Sequence, residues 1–370
     1  MTAPGITRVL VVEDSATMRR YIVDALRDDP EIEVVGEAAN GKDGIALCLE
    51  HRPDVITMDM MLPLMSGLGA TEYVMAQCPT PILIVSSSVN RGELFKTYEA
   101  LAAGAVDVLE KPTGDEPAGV WDARLRSTVK LVARIRVITH PRGRLATGAP
   151  RVASEMAHAL PRSGAARCEV VAIGASTGGP GAIVEVLRGL PPTFMLPVLL
   201  VLHIGAPFGP AFADWLDGQT ERRVLYARDG LATDEIGSSV VMAPPDSHLV
   251  VHDGGLRLTH DPERHSCRPS VDVLFESVAV EYGPRAAACL LTGMGRDGAS
   301  GLLAIRERGG VTIAQNEATC VVYGMPREAV RLGAVDHELP LPEIGPAIAS
   351  LAAPPVDLAA PAAIRRERTR

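Results

Sequence analysis

Short apolar runs, separated by stretches of helical periodicity, fill the first third of the chain. The runs are RVLVV (8–12), IEVVGEA (32–38), DVITM (54–58), PILIV (81–85) and AVDVL (105–109). Between them apolar residues recur at three- and four-residue spacing, as in Met18, Ile22, Ala25 and Leu26, the signature of a helix with one buried face. Runs that are apolar without alternation suit strands covered on both sides. Five strands alternating with five helices predict an α/β domain over 1–125 built on a doubly wound parallel sheet.

The character changes near residue 126. Residues 126–167 are expected to link two domains. The stretch 137–167, VITHPRGRLATGAPRVASEMAHALPRSGAAR, is rich in Pro, Gly, Ala and Arg, with one short helix expected near 152–160. A second alternation starts at 169, with EVVAI (169–173), LPVLLVLH (196–203), RVLYA (223–227), AAACLLT (286–292) and GVTIAQ (310–315). It is interrupted by SSVVMAPPDSHLVVHDGGLRLTHD (238–261), whose Asp-Gly-Gly turn between alternating residues predicts a hairpin. The expectation is a second doubly wound, mainly parallel α/β domain over 168–355 with an antiparallel hairpin, then a frayed tail at 356–370.

Composition narrows the class. The 370 residues are 47% hydrophobic and 22% charged, enough apolar surface for two cores, since single cores stop growing at about 250–300 residues. A net charge of −9 opposes broad binding to nucleic acid or to anionic membranes. The cysteines at 48, 78, 168, 267, 289 and 320 include no C-x-x-C pair. That spacing disfavours a zinc site or a disulfide framework and suits a reducing compartment. The N-terminal MTAPGITRVLVVED has an apolar run too short for a secretion signal, and no run approaches about 18 apolar residues. A cytoplasmic location without membrane insertion is therefore expected.

In an open parallel sheet, functional groups gather at the carboxyl ends of the strands. Glu13 and Asp14 follow the first run, Asp59 ends the third, Ser86 ends the fourth, and Glu110-Lys111-Pro112 follow the fifth. Converging carboxylates repel one another unless a cation sits among them, and an all-oxygen set selects Mg2+. In that setting Asp59 is a nucleophile toward phosphorus, Lys111 meets the phosphoryl charge, and the Ser86 hydroxyl binds one oxygen. Each residue taken singly is an ordinary polar group at a strand end; their joint order signals a site. In this spacing VLVVEDSATMR, DVITMDMMLP, ILIVSS and EKP resemble the receiver domain of bacterial two-component response regulators.

That resemblance covers residue 6 to about 125. It implies a flavodoxin-like (βα)5 fold, Asp59 as phospho-acceptor, and Glu13 and Asp14 as Mg2+ ligands together with the Met60 carbonyl. It also implies Ser86 as the switch hydroxyl and Lys111 as the phosphate-binding lysine. Three positions depart from the familiar pattern: Glu13 in place of Asp, Ser66-Gly67 in place of Asp-Gly, and aliphatics such as Val108 in place of an aromatic switch.

In the second domain, CEVVAIGASTGGPG (168–181) runs a buried strand into a glycine-rich turn around Ser176, satisfying G-x-S-x-G. Small neighbours let the backbone reverse and leave helix N-terminal amides beside the hydroxyl to stabilise an oxyanion. A phosphate-binding loop is the rival, but GASTGGPG lacks both G-x-G-x-x-G and G-K-[ST]; an inert glycine turn is the third reading. A serine nucleophile needs a base and the base an orienter. His203 ends the run PVLLVLH beside the Ser176 strand, whereas His248, His252, His260 and His265 read as surface or structural residues. LLTGMGRDG (290–298) opens another glycine turn that carries Asp297.

An α/β-hydrolase runs Ser, Asp, His, whereas this chain runs Ser176, His203, Asp297. That order, with IGASTGGP, VLHI, RPSVDVLFESVA, LLTGMGRDGA and ATCVVYGMPREAV, resembles the catalytic domain of the chemotaxis protein-glutamate methylesterases over about 168–350. A receiver fused N-terminally is that family's own architecture. The resemblance implies Ser176 as nucleophile, His203 as base and then acid, Asp297 as orienter, and Thr177 and Met294 lining the substrate and oxyanion site. It implies hydrolysis of glutamate γ-methyl esters on cytoplasmic helices of chemoreceptors, deamidation of receptor glutamines, a histidine kinase as phosphodonor, and no cofactor in the esterase site. A monomer is expected, with the unphosphorylated receiver covering Ser176. A scaffold with a dead site and a DNA-binding regulator are the readings from other classes.

Overall fold

The strands β1 (Thr7–Val12), β2 (Ile32–Ala38), β3 (Val55–Met58), β4 (Ile82–Ser86) and β5 (Asp107–Glu110) make one all-parallel sheet in the order β2-β1-β3-β4-β5. The computed structural model describes residues 5–352, apart from 88–89, 113, 115, 136, 138–166 and 206. The helix expected near 152–160 and the tail at 356–370 lie outside the described residues. From β1 the chain winds one way to β2 and the other way to β3, so the switch point lies at the carboxyl ends of β1 and β3. That is where a doubly wound sheet opens a crevice.

Helix α1 (Ala16–Arg27) is capped by the Ser15 side chain and buries Ile22, Ala25 and Leu26 of the stripe read from the sequence, with Val23 besides, while Met18 is half-buried. The chain continues through α2 (Gly41–His51), α3 (Gly67–Gln77), α4 (Arg91–Ala102) and α5 (Val120–Val132). The last of these crosses the boundary expected at 125, because Trp121, Leu125, Val129 and Val132 form one buried face at helical spacing. The receiver's own core therefore includes residues assigned from sequence to the linker.

The second sheet has seven strands in the order β14-β13-β12-β6-β7-β9-β8, and every pairing is parallel. They are β6 (Val170–Ala175), β7 (Val198–Leu202), β8 (Val224–Tyr226), β9 (Val240–Met242), β12 (Ala286–Leu290), β13 (Val311–Gln315) and β14 (His337–Leu339). The interrupting stretch 238–261 divides. Its fully buried Val240, Val241 and Met242 slot in between β7 and β8, and only β10 (His248–His252) and β11 (Gly255–Thr259) form the hairpin. The helices are α6 (Gly179–Arg188), α7 (Phe212–Asp217), α8 (Val271–Tyr282), α9 (Ala299–Glu307), α10 (Met325–Arg331) and α11 (Leu341–Ala352). Among the described residues no helix is long and apolar enough to cross a membrane.

The two sheets are joined through α4. Leu94, Tyr98 and Ala102 belong to the same buried cluster as α6, α7 and the second sheet, not to the receiver's two cores. The Tyr98 ring lies 5.2 Å from Phe212 and 5.5 Å from Trp215, and its hydroxyl donates to the Phe208 carbonyl at 2.5 Å. A Cβ added to Gly181 of α6 would stand 3.1 Å from the Ala102 carbonyl oxygen, so the helices touch backbone to backbone.

Candidate active site

The register of the second sheet brings the expected residues together. Ala175 of β6 is paired with Leu202 of β7, so Ser176 and His203 leave the sheet side by side at its carboxyl edge. The His203 amide donates to the Ala175 carbonyl at 3.0 Å, and the Ser176 amide donates to the Thr292 carbonyl at 3.1 Å. The loop after β12 is pressed against the serine: a Cβ on Gly293 would lie 2.8 Å from Ser176 Cβ and 2.3 Å from Met325 Sδ. Gly178 has φ 76 and opens α6, a conformation that favours glycine.

Asp297 sits at the amino end of α8. Its Oδ1 accepts from Ser270 Oγ at 2.7 Å and from the Asp272 amide at 3.1 Å, and its Oδ2 from the Val271 amide at 2.7 Å. The helix terminus thus supplies unpaired donors and a positive dipole end to an anion. Burial opposes ionisation of Asp297, but His203, Ser270 and the Asp272 amide outweigh it and hold the carboxyl below its usual range. Oδ2 lies 2.9 Å from His203 Nε2. With Asp297 ionised, Nε2 carries the proton and Nδ1 is the free basic nitrogen. Burial pulls the His203 pKa down, yet Asp297 and then Cys267, whose Sγ is 3.6 Å from Nδ1, raise it to about 9.

Ser176, Thr177, His203 and Cys267 line one cavity of about 280 Å3 whose other wall is the receiver: Leu101, Asp107 and Val108. Met294 is not among the lining residues; its loop meets the site through Gly293. The carboxyl of Asp107, confined at this wall, is pushed up to about 6 by burial. Two other histidines have partners of their own. His248 is buried and accepts from the Ser270 amide at 3.1 Å, while His265 meets Asp272 at 3.0 Å. Sequence reasoning missed Cys267 and Ser270. The second carried a signal, since a serine directly before VDVLFESV reads as a helix N-cap.

In the receiver, Glu13 and Asp59 are buried and Asp14 is exposed. Lys111 Nζ lies 2.9 Å from Glu13 Oε2 and 3.0 Å from Asp59 Oδ1. Burial, and for Glu13 the neighbouring Asp59 charge, raises both carboxyls. Burial also works against the Lys111 charge, and the two carboxylates more than offset it. Glu13, Asp14 and Asp59 offer oxygen atoms within 4.8 Å of one another, a hard-donor set that fits Mg2+.

A Cβ on Gly67 would stand 2.0 Å from the Asp59 carbonyl oxygen, which accounts for the glycine, while Ser66 caps α3 by accepting from the Gly69 amide at 3.2 Å. Ser86 points its hydroxyl to the docking helix: Oγ donates to Glu93 Oε1 at 2.9 Å and accepts from Thr97 at 3.2 Å.

Residues 171–348 match the CheB methylesterase family and residues 9–117 the response regulator receiver domain. The chain is 43% identical over 345 residues to a protein named protein-glutamate methylesterase/protein-glutamine glutaminase 2 from Anaeromyxobacter dehalogenans, covering 93% of this chain and 96% of that one. A protein-glutamate methylesterase/protein-glutamine glutaminase from Nitrosospira multiformis is 41% identical, with 93% and 97% covered. Among solved structures, the catalytic domain of the Thermotoga maritima CheB methylesterase is 34% identical, covers 48% of this chain and 95% of that chain, and has a TM-score of 0.46. Two domain families matched in the order the sequence motifs predict, and relatives above 40% identity along 93% of the chain, establish that it belongs to the CheB methylesterase family, a receiver domain joined to a methylesterase domain.

Proposed function

We propose that this chain is a phosphorylation-gated serine esterase that hydrolyses glutamate γ-methyl esters on the cytoplasmic helices of chemoreceptors and deamidates receptor glutamines. The observation that carries the reading is that His203, bonded to Asp297 at 2.9 Å, lines one cavity with Ser176 under a wall made by the receiver. Asp297 holds the imidazole through Nε2, so Nδ1 takes the Ser176 proton as Oγ attacks the γ-carbonyl. The carbonyl oxygen becomes an oxyanion beside the α6 amino terminus, with Thr177 and the Met294 loop as candidate donors. Collapse expels methanol, protonated by the His203 imidazolium; from a glutamine the leaving group is ammonia. A water deprotonated by His203 then frees the carboxylate and restores the serine.

Gating follows from the position of α4. Glu13, Asp14 and Asp59 are the residues to hold Mg2+, which when bound neutralises charge around the incoming phosphoryl group. Asp59 accepts that group from a histidine kinase, and Lys111 pairs with it. Recruiting the Ser86 hydroxyl to the new oxygens takes it from Glu93 in the first turn of α4. Glu93 also accepts from the Ser87 amide at 2.8 Å and the Ser87 hydroxyl at 2.7 Å. The rearrangement shifts the helix that carries Tyr98 and uncovers the cavity. The enzyme is read as a cytoplasmic monomer acting on a protein substrate, with no nucleic-acid partner.

The test is methanol release from methylated receptor membranes, with and without Mg2+ and acetyl phosphate. The full chain should be slow alone and at least tenfold faster with both, and Asp59→Asn should stay at the slow rate. An equally fast rate under all conditions would remove the gating, and no release under any condition would remove the esterase.

A further inference from the structure

The spacing of cysteines along the chain gives no zinc signature, but the fold brings one of them to the catalytic imidazole. Five of the six cysteines are buried, and Cys267 alone is half-buried. Its Sγ lies 3.6 Å from His203 Nδ1. A tetrahedral zinc ion with bonds of about 2.05 Å to imidazole nitrogen and about 2.3 Å to thiolate sulfur needs those two donors about 3.6 Å apart. The pair is therefore already set as one edge of a zinc tetrahedron. Behind it, Asp297 Oδ2 accepts from Nε2 at 2.9 Å, the outer carboxylate that fixes the tautomer and basicity of metal-bound histidines. Donor atoms of His203, Cys267 and Asp297 lie within 4.8 Å of one another.

The surroundings leave room for the other two positions. The adjoining cavity of about 280 Å3 exceeds several times the roughly 30 Å3 that a water occupies in the liquid, and Ser176 lines it. The cation at its rim, Arg268, is held by Asp246 Oδ1 at 2.8 and 2.5 Å. Thiolate and imidazole together select a borderline-soft ion over Mg2+.

We infer that Cys267 and His203 form an inhibitory zinc site in the esterase cleft, with Asp297 as the outer partner and water or Ser176 Oγ completing the shell. The Cys267 thiol and the His203 imidazolium each release a proton to solvent as the Zn–S and Zn–N bonds form, and His203 then binds through its Nδ1 lone pair. That lone pair is the one the esterase needs to deprotonate Ser176, so the ion and catalysis exclude each other. The inhibition rests on the reading of His203 as base; the binding does not.

Two measurements on the full chain keep these apart. With Co2+ as probe, the wild type should develop a thiolate-to-metal absorption band in the near ultraviolet at one equivalent, and Cys267→Ser and Cys267→Ala should lack it. Zinc competition against a chromophoric chelator should show at least tenfold weaker binding in both variants. In the acetyl phosphate-driven esterase assay, micromolar Zn2+ should silence the wild type, reversibly with a zinc-selective chelator, while each variant keeps the rate it has without zinc. A Co2+ band that persists in Cys267→Ser, the absence of any thiolate band in the wild type, or equal zinc sensitivity of the variants would overturn the site. The absorption band decides the metal site even where no esterase activity is found.

Discussion

Replacing Tyr98 by alanine isolates the contact that closes the enzyme. The side chain is 0% exposed, its ring packs on Phe212 and Trp215 at 5.2 and 5.5 Å, and its hydroxyl serves the Phe208 carbonyl. Because it lies in the esterase cluster and not in either receiver core, the lost energy falls on the interface. Truncating a buried large aromatic costs about 3–5 kcal/mol. At about 1.4 kcal/mol per tenfold, a loss of about 3 kcal/mol shifts the closed-to-open ratio more than a hundredfold. The exposed Arg91–Asp214 pair at 2.9 Å cannot compensate, since surface pairs contribute about 0–1 kcal/mol.

Methanol release by unphosphorylated Tyr98→Ala should therefore approach that of the phosphorylated wild type, with little further response to acetyl phosphate. Tyr98→Phe keeps the ring and loses one hydrogen bond of about 1 kcal/mol, so its basal rate should rise about fivefold. Phosphorylation of Asp59 in both variants verifies that the receiver is folded. A Tyr98→Ala chain with the wild-type basal rate and an undiminished phosphodonor response would refute the covering contact.

Two further outcomes follow from charges at the cleft. His203 must be neutral to act as base, and its pKa of about 9 in the closed chain places the rising limb of the basal kcat/KM profile near that pH. Asp297→Asn removes the leading influence that raises it, so the limb should move to lower pH while kcat falls on the order of 10³–10⁴-fold; an unmoved limb would detach Asp297 from His203. Asp107 is pushed up to about 6 in the closed form and faces water once the receiver leaves. The closed form thus holds the extra proton between pH 4 and 6, so closure is strongest in acid and weakens as pH rises through that window, by linkage. Asp107→Asn should flatten this dependence and lower the basal rate at pH 7.5 by roughly a hundredfold; an unchanged pH response would sink the assignment.

Much of this was legible in the sequence because strand ends carry the chemistry. IEVVGEA was read to the residue as β2, and Ser176, His203 and Asp297 came together because three unalternating runs became neighbouring strands. Short elements were less visible. Strand β9 has three residues, all buried, so it offers no alternation, and β14 is a three-residue edge strand with only β13 beside it. The support around Asp297 was hidden because Ser270 and Cys267 reach it and His203 from another loop altogether. Docking by α4 was equally invisible: Tyr98 reads as one more buried position of a receiver helix, and only the second domain's aromatics reveal its partner.

The most direct measurement is methanol release from methylated receptor membranes by phosphorylated wild type and Ser176→Ala, assayed side by side. The variant should fall to the no-enzyme background while Asp59 is phosphorylated as in the wild type. Undiminished release from Ser176→Ala would contradict the account, because no other residue has been assigned the bond to the acyl group.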